Sequence, residues 1–287
     1  MESPPVTIVH HESEFGEWES VRRDPDPRLR LYVRSYEGYV ETRANFSTRM
    51  EVPSTDAVMI INLGPPYRVH GPGNARGAGE YGSFVAGMID AHVLVEATGL
   101  ACGLQVNFTP IGAGAVFGMP MDEVTNRTVA LADVFGADAS RLEAQLDDTP
   151  DWQSRFAILD VLLARRIAAA PLPPPALAFA MDRISRSGGR ADIQRLAAEV
   201  GWSRKHLSTQ FRRHIGLPPK TMARVVRFNR VIRMLSEDTN ARWTDVALRC
   251  GYYDQAHFNR DFREFTGGTP SAYLGRRIPD DGGLVGD

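Results

Sequence analysis

The chain has 287 residues, 33 Lys+Arg against 35 Asp+Glu, 43% hydrophobic and 24% charged residues. This composition excludes a collagen-like, disordered or disulfide-stapled protein, and the length predicts two domains. The net charge of −2 conceals a polarity: from Asp182 to Arg277 there are 19 basic and 9 acidic residues, a net of +10, which leaves −12 for the remainder. A basic third on an acidic rest directs one end of the chain towards a polyanion, nucleic acid first.

Met1-Glu2-Ser3-Pro4-Pro5 lacks the basic start and apolar run of a secretory signal. No stretch approaches the ~18–20 apolar residues of a membrane span, so a cytoplasmic chain with no membrane partner is expected. Short β-rich runs follow at Arg30–Val33, Ala57–Leu63, Ala91–Glu96 and Leu104–Phe108, separated by Gly64-Pro65-Pro66, Gly71-Pro72-Gly73 and Gly99. They predict an antiparallel sandwich or barrel. Helices are expected over 138–146 and 151–167. The second carries one apolar stripe, Trp152, Phe156, Leu159, Leu163 and Ile167, which either covers its own β-domain or makes a dimer seam.

Four prolines within Pro171–Pro175 make a short extended spacer. The fold class is therefore α+β multidomain: a β-rich domain over 1–170, a Pro-rich linker over 171–177, an all-α domain over 178–277 and a disordered tail over 278–287. Nothing in the first half forms a metal or catalytic constellation. His10, His11, His70 and His92 include no H-x-H pair, and Gly71 to Gly77 lacks the Lys-Ser/Thr of a phosphate loop and reads as a surface turn. Cys102 and Cys250 read as small apolar residues rather than ligands or a disulfide. No cofactor, metal or enzymatic activity is expected.

The second half reads helical over 176–187, 193–200, 204–214, 220–235, 244–250 and 254–265, punctuated by glycines. It contains an internal repeat. Leu196–Gly201 matches Val246–Gly251 at an offset of 50, and Leu207, Phe211, Gly216 and Pro219 match Phe258, Phe262, Gly267 and Pro270 at 51. Each copy is a short helix, a turn at Gly and a second helix with apolar residues four apart, the layout of a helix-turn-helix. Residues 220–235 form the joining helix, with Val225, Phe228, Ile232 and Leu235 inward. With Leu207, Phe211, Phe258 and Phe262 also inward, Arg204, Lys205, Ser208, Thr209 and Arg212 face outward in the first copy. Gln255, Ala256, Asn259, Arg260 and Arg263 do so in the second. Arg suits guanine, Gln and Asn suit adenine, and Ala suits a thymine methyl. Ser203 and Asp254 stand at N-caps, where phosphate contact is also favoured. Arg224, Arg227, Arg230 and Arg233 recur every three residues on the joining helix, as a solvated face or as phosphate contacts.

The run Gly251-Tyr252-Tyr253-Asp254-Gln255-Ala256-His257-Phe258-Asn259-Arg260-Asp261-Phe262-Arg263, followed by Gly267-Gly268-Thr269-Pro270-Ser271-Ala272-Tyr273, resembles the signature of AraC/XylS-type transcriptional regulators. The upstream copy from Leu196 to Leu207, with Phe211-Arg212-Arg213 and Gly216-Leu217-Pro218-Pro219-Lys220, is similar to the family's first motif. Pro218 departs from the family's usual Ser or Thr.

The resemblance implies two helix-turn-helix units in successive major-groove segments of double-stranded DNA, about one helical turn apart (~34 Å). It implies base contacts from Lys205, Ser208 and Thr209, and from Gln255, Ala256, His257 and Arg260, His257 being either structural or a reader. It further implies a cupin-like sensor or dimerisation domain in the first half, a small-molecule effector, a homodimer, and activation through RNA polymerase. The alternatives are a dimeric DNA-binding protein independent of any ligand, and a cupin-type metalloenzyme fused to a DNA-binding domain.

Overall fold

The computed structural model describes residues 4–71, 79–237, 242–278 and 283–286. The turn expected over Gly71 to Gly77 lies, after Gly71, outside the described residues. Among the described residues the first half holds eleven strands: β1 Thr7–Ser13, β2 Gly16–Arg23, β3 Val33–Ala44, β4 Thr48–Glu51, β5 Ala57–Asn62, β6 Tyr67–His70, β7 Gly79–Tyr81, β8 Phe84–Ala86, β9 Val93–Ala97, β10 Cys102–Phe108 and β11 Thr128–Ala130. They form two antiparallel sheets, one in the order β1-β2-β3-β10-β5-β8-β11 and one in the order β4-β9-β6-β7. The expected sandwich is therefore present.

Several details differ from the sequence reading. Arg30–Tyr32 form a turn after the 3-10 turn Pro27–Leu29, and the strand begins only at Val33. β1 and β2 went unread because they carry little alternation of apolar and polar residues: β1 is mostly exposed and pairs with β2 alone.

Among the described residues this half also holds the helices α1 Gly112–Phe117, α2 Leu131–Phe135, α3 Ala137–Asp147 and α4 Trp152–Ala169. The α4 stripe turns inward. Phe156, Leu159 and Leu163 are fully buried against Val21, Tyr36, Leu104 and Val106 of the seven-stranded sheet, so the stripe covers its own domain. A polar anchor fixes it there: Arg23, 2% exposed, pairs with Asp160, which also accepts the Tyr36 hydroxyl at 2.9 Å. Burial raises the Tyr36 phenol far above its ordinary range, with the Asp160 charge adding to the effect, so it stays a donor. Gly38 is required beneath this helix, because a Cβ there would come within 2.5 Å of the Trp152 ring.

After the extended stretch 171–174 come α5 Pro175–Arg186, α6 Ile193–Glu199, α7 Arg204–Ile215, α8 Pro219–Glu237, α9 Trp243–Arg249, α10 Gln255–Thr266 and α11 Pro270–Gly275. The last three residues of the expected linker thus open α5, with Pro175 at a first-turn position that needs no N–H donor.

The second core runs through these helices and continues into the first half. Met50, Met88, Val52, Leu94 and Ile111 pack in the same cluster as Phe211, Phe228 and Phe262. Met50 and Leu94 are register partners, as are Arg49 and Val95, and Glu51 and Val93. The period-two pleat sends Met50 and Leu94 to the helical domain and the other four to the opposite face. The four-stranded sheet is therefore a wall shared by the two halves.

The expected disordered tail is partly ordered. Leu284, 5% exposed, accepts the Met50 N–H at 2.9 Å, Gly286 N–H donates to Thr48 at 2.9 Å, and Val285 bridges to Arg49. This stretch bridges antiparallel to the free edge of β4.

Candidate nucleic-acid interface

α6-turn-α7 and α9-turn-α10 are the two copies of the repeat. Gly201 and Gly251 turn each with φ of +72° and +84°, a left-handed conformation that glycine adopts without a Cβ penalty. In the first copy Ser203 Oγ accepts the His206 N–H at 3.1 Å, and in the second Asp254 Oδ1 accepts the His257 N–H at 2.7 Å. Both N-caps therefore satisfy an orphan donor of a recognition helix.

Leu207, Phe211 and Ile215 anchor α7, while Phe258, Phe262 and Phe265 anchor α10. The opposite faces are left to solvent. Ser203, Arg204, Lys205, Thr209 and Arg212 are exposed on the first copy, with Ser208 half-buried and accepting from Arg212 at 3.1 Å. Gln255, Ala256, Arg260 and Arg263 are exposed on the second, with Asn259 half-buried.

His257 is placed differently. It is half-buried, edge-on to Tyr252 at 5.2 Å, with Nε2 3.9 Å from Asp261 Oδ2. It faces a polar knot beneath α10, which favours the structural role.

That knot redefines the arginines of α8. Arg224 donates to Asp261 at 2.9 Å and to Glu264; Arg227 donates to the Gly189 carbonyl at 2.6 Å and lies 5.6 Å over the Tyr252 ring. Burial opposes the Arg224 charge, but its hydrogen bonds to the Glu264 and Asp261 carboxylates outweigh it and raise its pKa. These two residues tie α8 to α10 and to the turn before α6, a use that neither sequence reading of the row included. Only Arg233 of the four is well exposed.

Sequence reasoning missed other exposed groups at the same surface. Tyr253, 92% exposed, precedes the Asp254 cap. Arg190 and Lys220 line a recess of about 330 Å³ together with Arg204 at the start of α7. Tyr253 was overlooked because its neighbour Tyr252 fills the core, and Arg190 because it sits in the Gly-rich turn before α6 rather than on a helix face.

Both recognition helices end on the β-domain. Gly216, the α7 C-cap, abuts Thr125 and Met121, and Gly267, the α10 C-cap, abuts His92. Asn229 of α8 donates from Nδ2 to the Pro53 carbonyl at 2.7 Å and accepts the Thr55 N–H at 3.2 Å.

Residues 196–276 match the helix-turn-helix domain family, and residues 21–130 match a domain of unknown function, DUF6597. Uncharacterized HTH-type transcriptional regulators of Staphylococcus aureus are 34% identical over 85 residues, which is 30% of this chain and 11% of theirs. The chain thus spans about a tenth of the length of these curated relatives. Among solved structures, ToxT from Vibrio cholerae O395 aligns with a TM-score of 0.47 and 11% identity over 80% of this chain and 93% of that one. The AraC-like transcriptional activator CuxR aligns at 0.34 and 14% over 81% and 86%. With two helix-turn-helix units in order, residues 196–276 form a helix-turn-helix domain similar to that of HTH-type transcriptional regulators.

Proposed function

We propose that the chain is a transcriptional regulator that binds double-stranded DNA through α7 and α10 and adjusts that grip through a small molecule held in its β-domain. The observation that carries the reading is the repeat itself: two capped recognition helices, each with a polar, Arg-bearing face left to solvent. Lys205, Ser208 and Thr209, with Gln255, Ala256 and Arg260, are the proposed base readers. Ser203, Arg204, Arg212, Asn259 and Arg263, joined by Arg190 and Lys220, flank them as phosphate contacts, which position the protein without reading sequence.

The shared sheet supports a sensing role. Met50 and Leu94 enter the core of the DNA-binding domain from the sheet whose other face looks into the sandwich, so a change inside the sandwich bears directly on the helices. Activation through RNA polymerase and action as a homodimer complete the proposal.

Fluorescence-anisotropy titration against the chain's own upstream DNA and a scrambled duplex, across salt concentration, tests the reading. A steep salt slope with a preference of at least ~10³ for the upstream DNA is the expected result. Absence of binding at low salt removes it.

A further inference from the structure

Between the two sheets lies a cavity of about 370 Å³, within the ~300–1,000 Å³ range of small-molecule sites. Much of its wall is apolar, with Ile60, Tyr67, Phe84, Val93 and Val95 contributed by both sheets. The Tyr39 and Tyr67 hydroxyls hydrogen-bond each other at 3.0 Å across it, and burial pushes the Tyr67 phenol up to about 12, so both hydroxyls remain neutral.

Most charged groups on the wall already have a polar partner or stand opposite one. Arg49 donates to Glu41 at 2.6 Å, Glu41 also accepts the Ala101 N–H at 2.9 Å, and Asp56 is held by Arg34 at 2.8 Å. Arg127 donates to the Glu123 carbonyl at 3.2 Å, and Arg22 stands opposite Glu37 in the β2–β3 register. Glu51 is the exception: among the described residues it has neither a hydrogen-bond partner nor an ion pair. Its side chain is exposed towards the cavity, and desolvation by the surrounding wall raises its carboxyl pKa, with Arg49 opposing and Glu37 adding to the rise. Glu37, from the other sheet, accepts from Asn107 at 2.9 Å and lines the same space.

Resting on the sensor reading above, we infer that the cavity takes an organic cation, an ammonium or guanidinium group set between Glu51 and Glu37 on an apolar body that covers Tyr67, Phe84, Val93 and Val95. A cation supplies the counter-charge that Glu51 lacks, while the body removes apolar surface from water. An anionic ligand of the same shape brings a third negative charge to that end and is rejected. Specificity here is the difference between the two.

The probes are three molecules with one body: 4-phenylbutylamine, 4-phenylbutanol and 4-phenylbutyrate, titrated calorimetrically at neutral pH into the full-length protein. The wild-type chain binds the amine at least tenfold more tightly than the alcohol and the alcohol more tightly than the carboxylate. In Glu51→Gln the amine loses its tenfold advantage while the alcohol binds as before, which also shows that the variant is folded. Equal or tighter binding of the carboxylate overturns the inference, as does an amine affinity indifferent to Glu51→Gln or no binding of any probe at millimolar concentration. DNA affinity measured with and without the amine separates the two readings: an amine that binds without changing DNA affinity upholds the cation site and removes the sensor role.

Discussion

Gly216 and Gly267, one repeat apart, both end a recognition helix with positive φ, +102° and +71°, and both press that end against the β-domain. A Cβ on Gly216 meets Thr125 Oγ1 at 2.4 Å, and one on Gly267 meets the His92 ring at 2.8 Å. The two units are therefore positioned by one body as well as by α8. Gly216→Ala and Gly267→Ala each lower stability by ~1–3 kcal/mol, from backbone strain and overlap together. Gly201→Ala shares the positive φ but meets nothing within 4 Å, so it costs only the backbone term of ~1 kcal/mol. Chemical denaturation of the three variants checks the order; a Gly201→Ala loss equal to that of Gly216→Ala removes the contact from the account.

Arg260 stands exposed on α10 and has no internal partner among the described residues. Arg260→Ala weakens binding to the cognate duplex by ~1–3 kcal/mol and leaves scrambled DNA nearly unaffected. Equal losses on both duplexes assign it to phosphate instead.

The C-terminal return is a structural part of the chain. Leu284 is buried against the Met50 side of the shared sheet, and its carbonyl accepts from Met50. Leu284→Ala costs ~2–3 kcal/mol by loss of buried methyl groups. A stop codon after Ile278 also exposes the β4 edge. Thermal melts and limited proteolysis read both effects, and an unchanged melting temperature in both variants contradicts the packing.

His214 sits in the last turn of α7, where burial, reinforced by Arg213, lowers its pKa below the ordinary 6.5. The unfolded chain then protonates first as pH falls. The stability that neutral His214 contributes is complete above pH 6.5 and is lost below it, as pH falls towards the folded value. His214→Gln flattens this part of the stability profile between pH 7 and 5. A profile identical to wild type shows that other groups dominate.

The helical half was largely legible from sequence because its information is local. Glycine spacing, N-caps and apolar residues four apart set α6, α7, α9 and α10 to within two residues, and subtraction of the inward face left the exposed one. Tertiary packing decided what local pattern does not encode. Arg224 and Arg227 look like solvent-facing cations in a row, yet Asp261, 37 residues beyond Arg224, turns the pair into struts beneath α10. His257 fits a base-reading slot by position, yet Tyr252 and Asp261 claim it.

In the β-domain the sequence by itself determined that short strands pair antiparallel and that α4 has one apolar face. It left open what that face covers, because a stripe records burial but not its partner. Only the folded chain shows that the adjacent residues Met50 and Glu51 serve different spaces, one the DNA-binding core and the other the cavity. The pleat of a strand separates neighbours by face, and which face meets which domain is settled by contacts far apart in the chain.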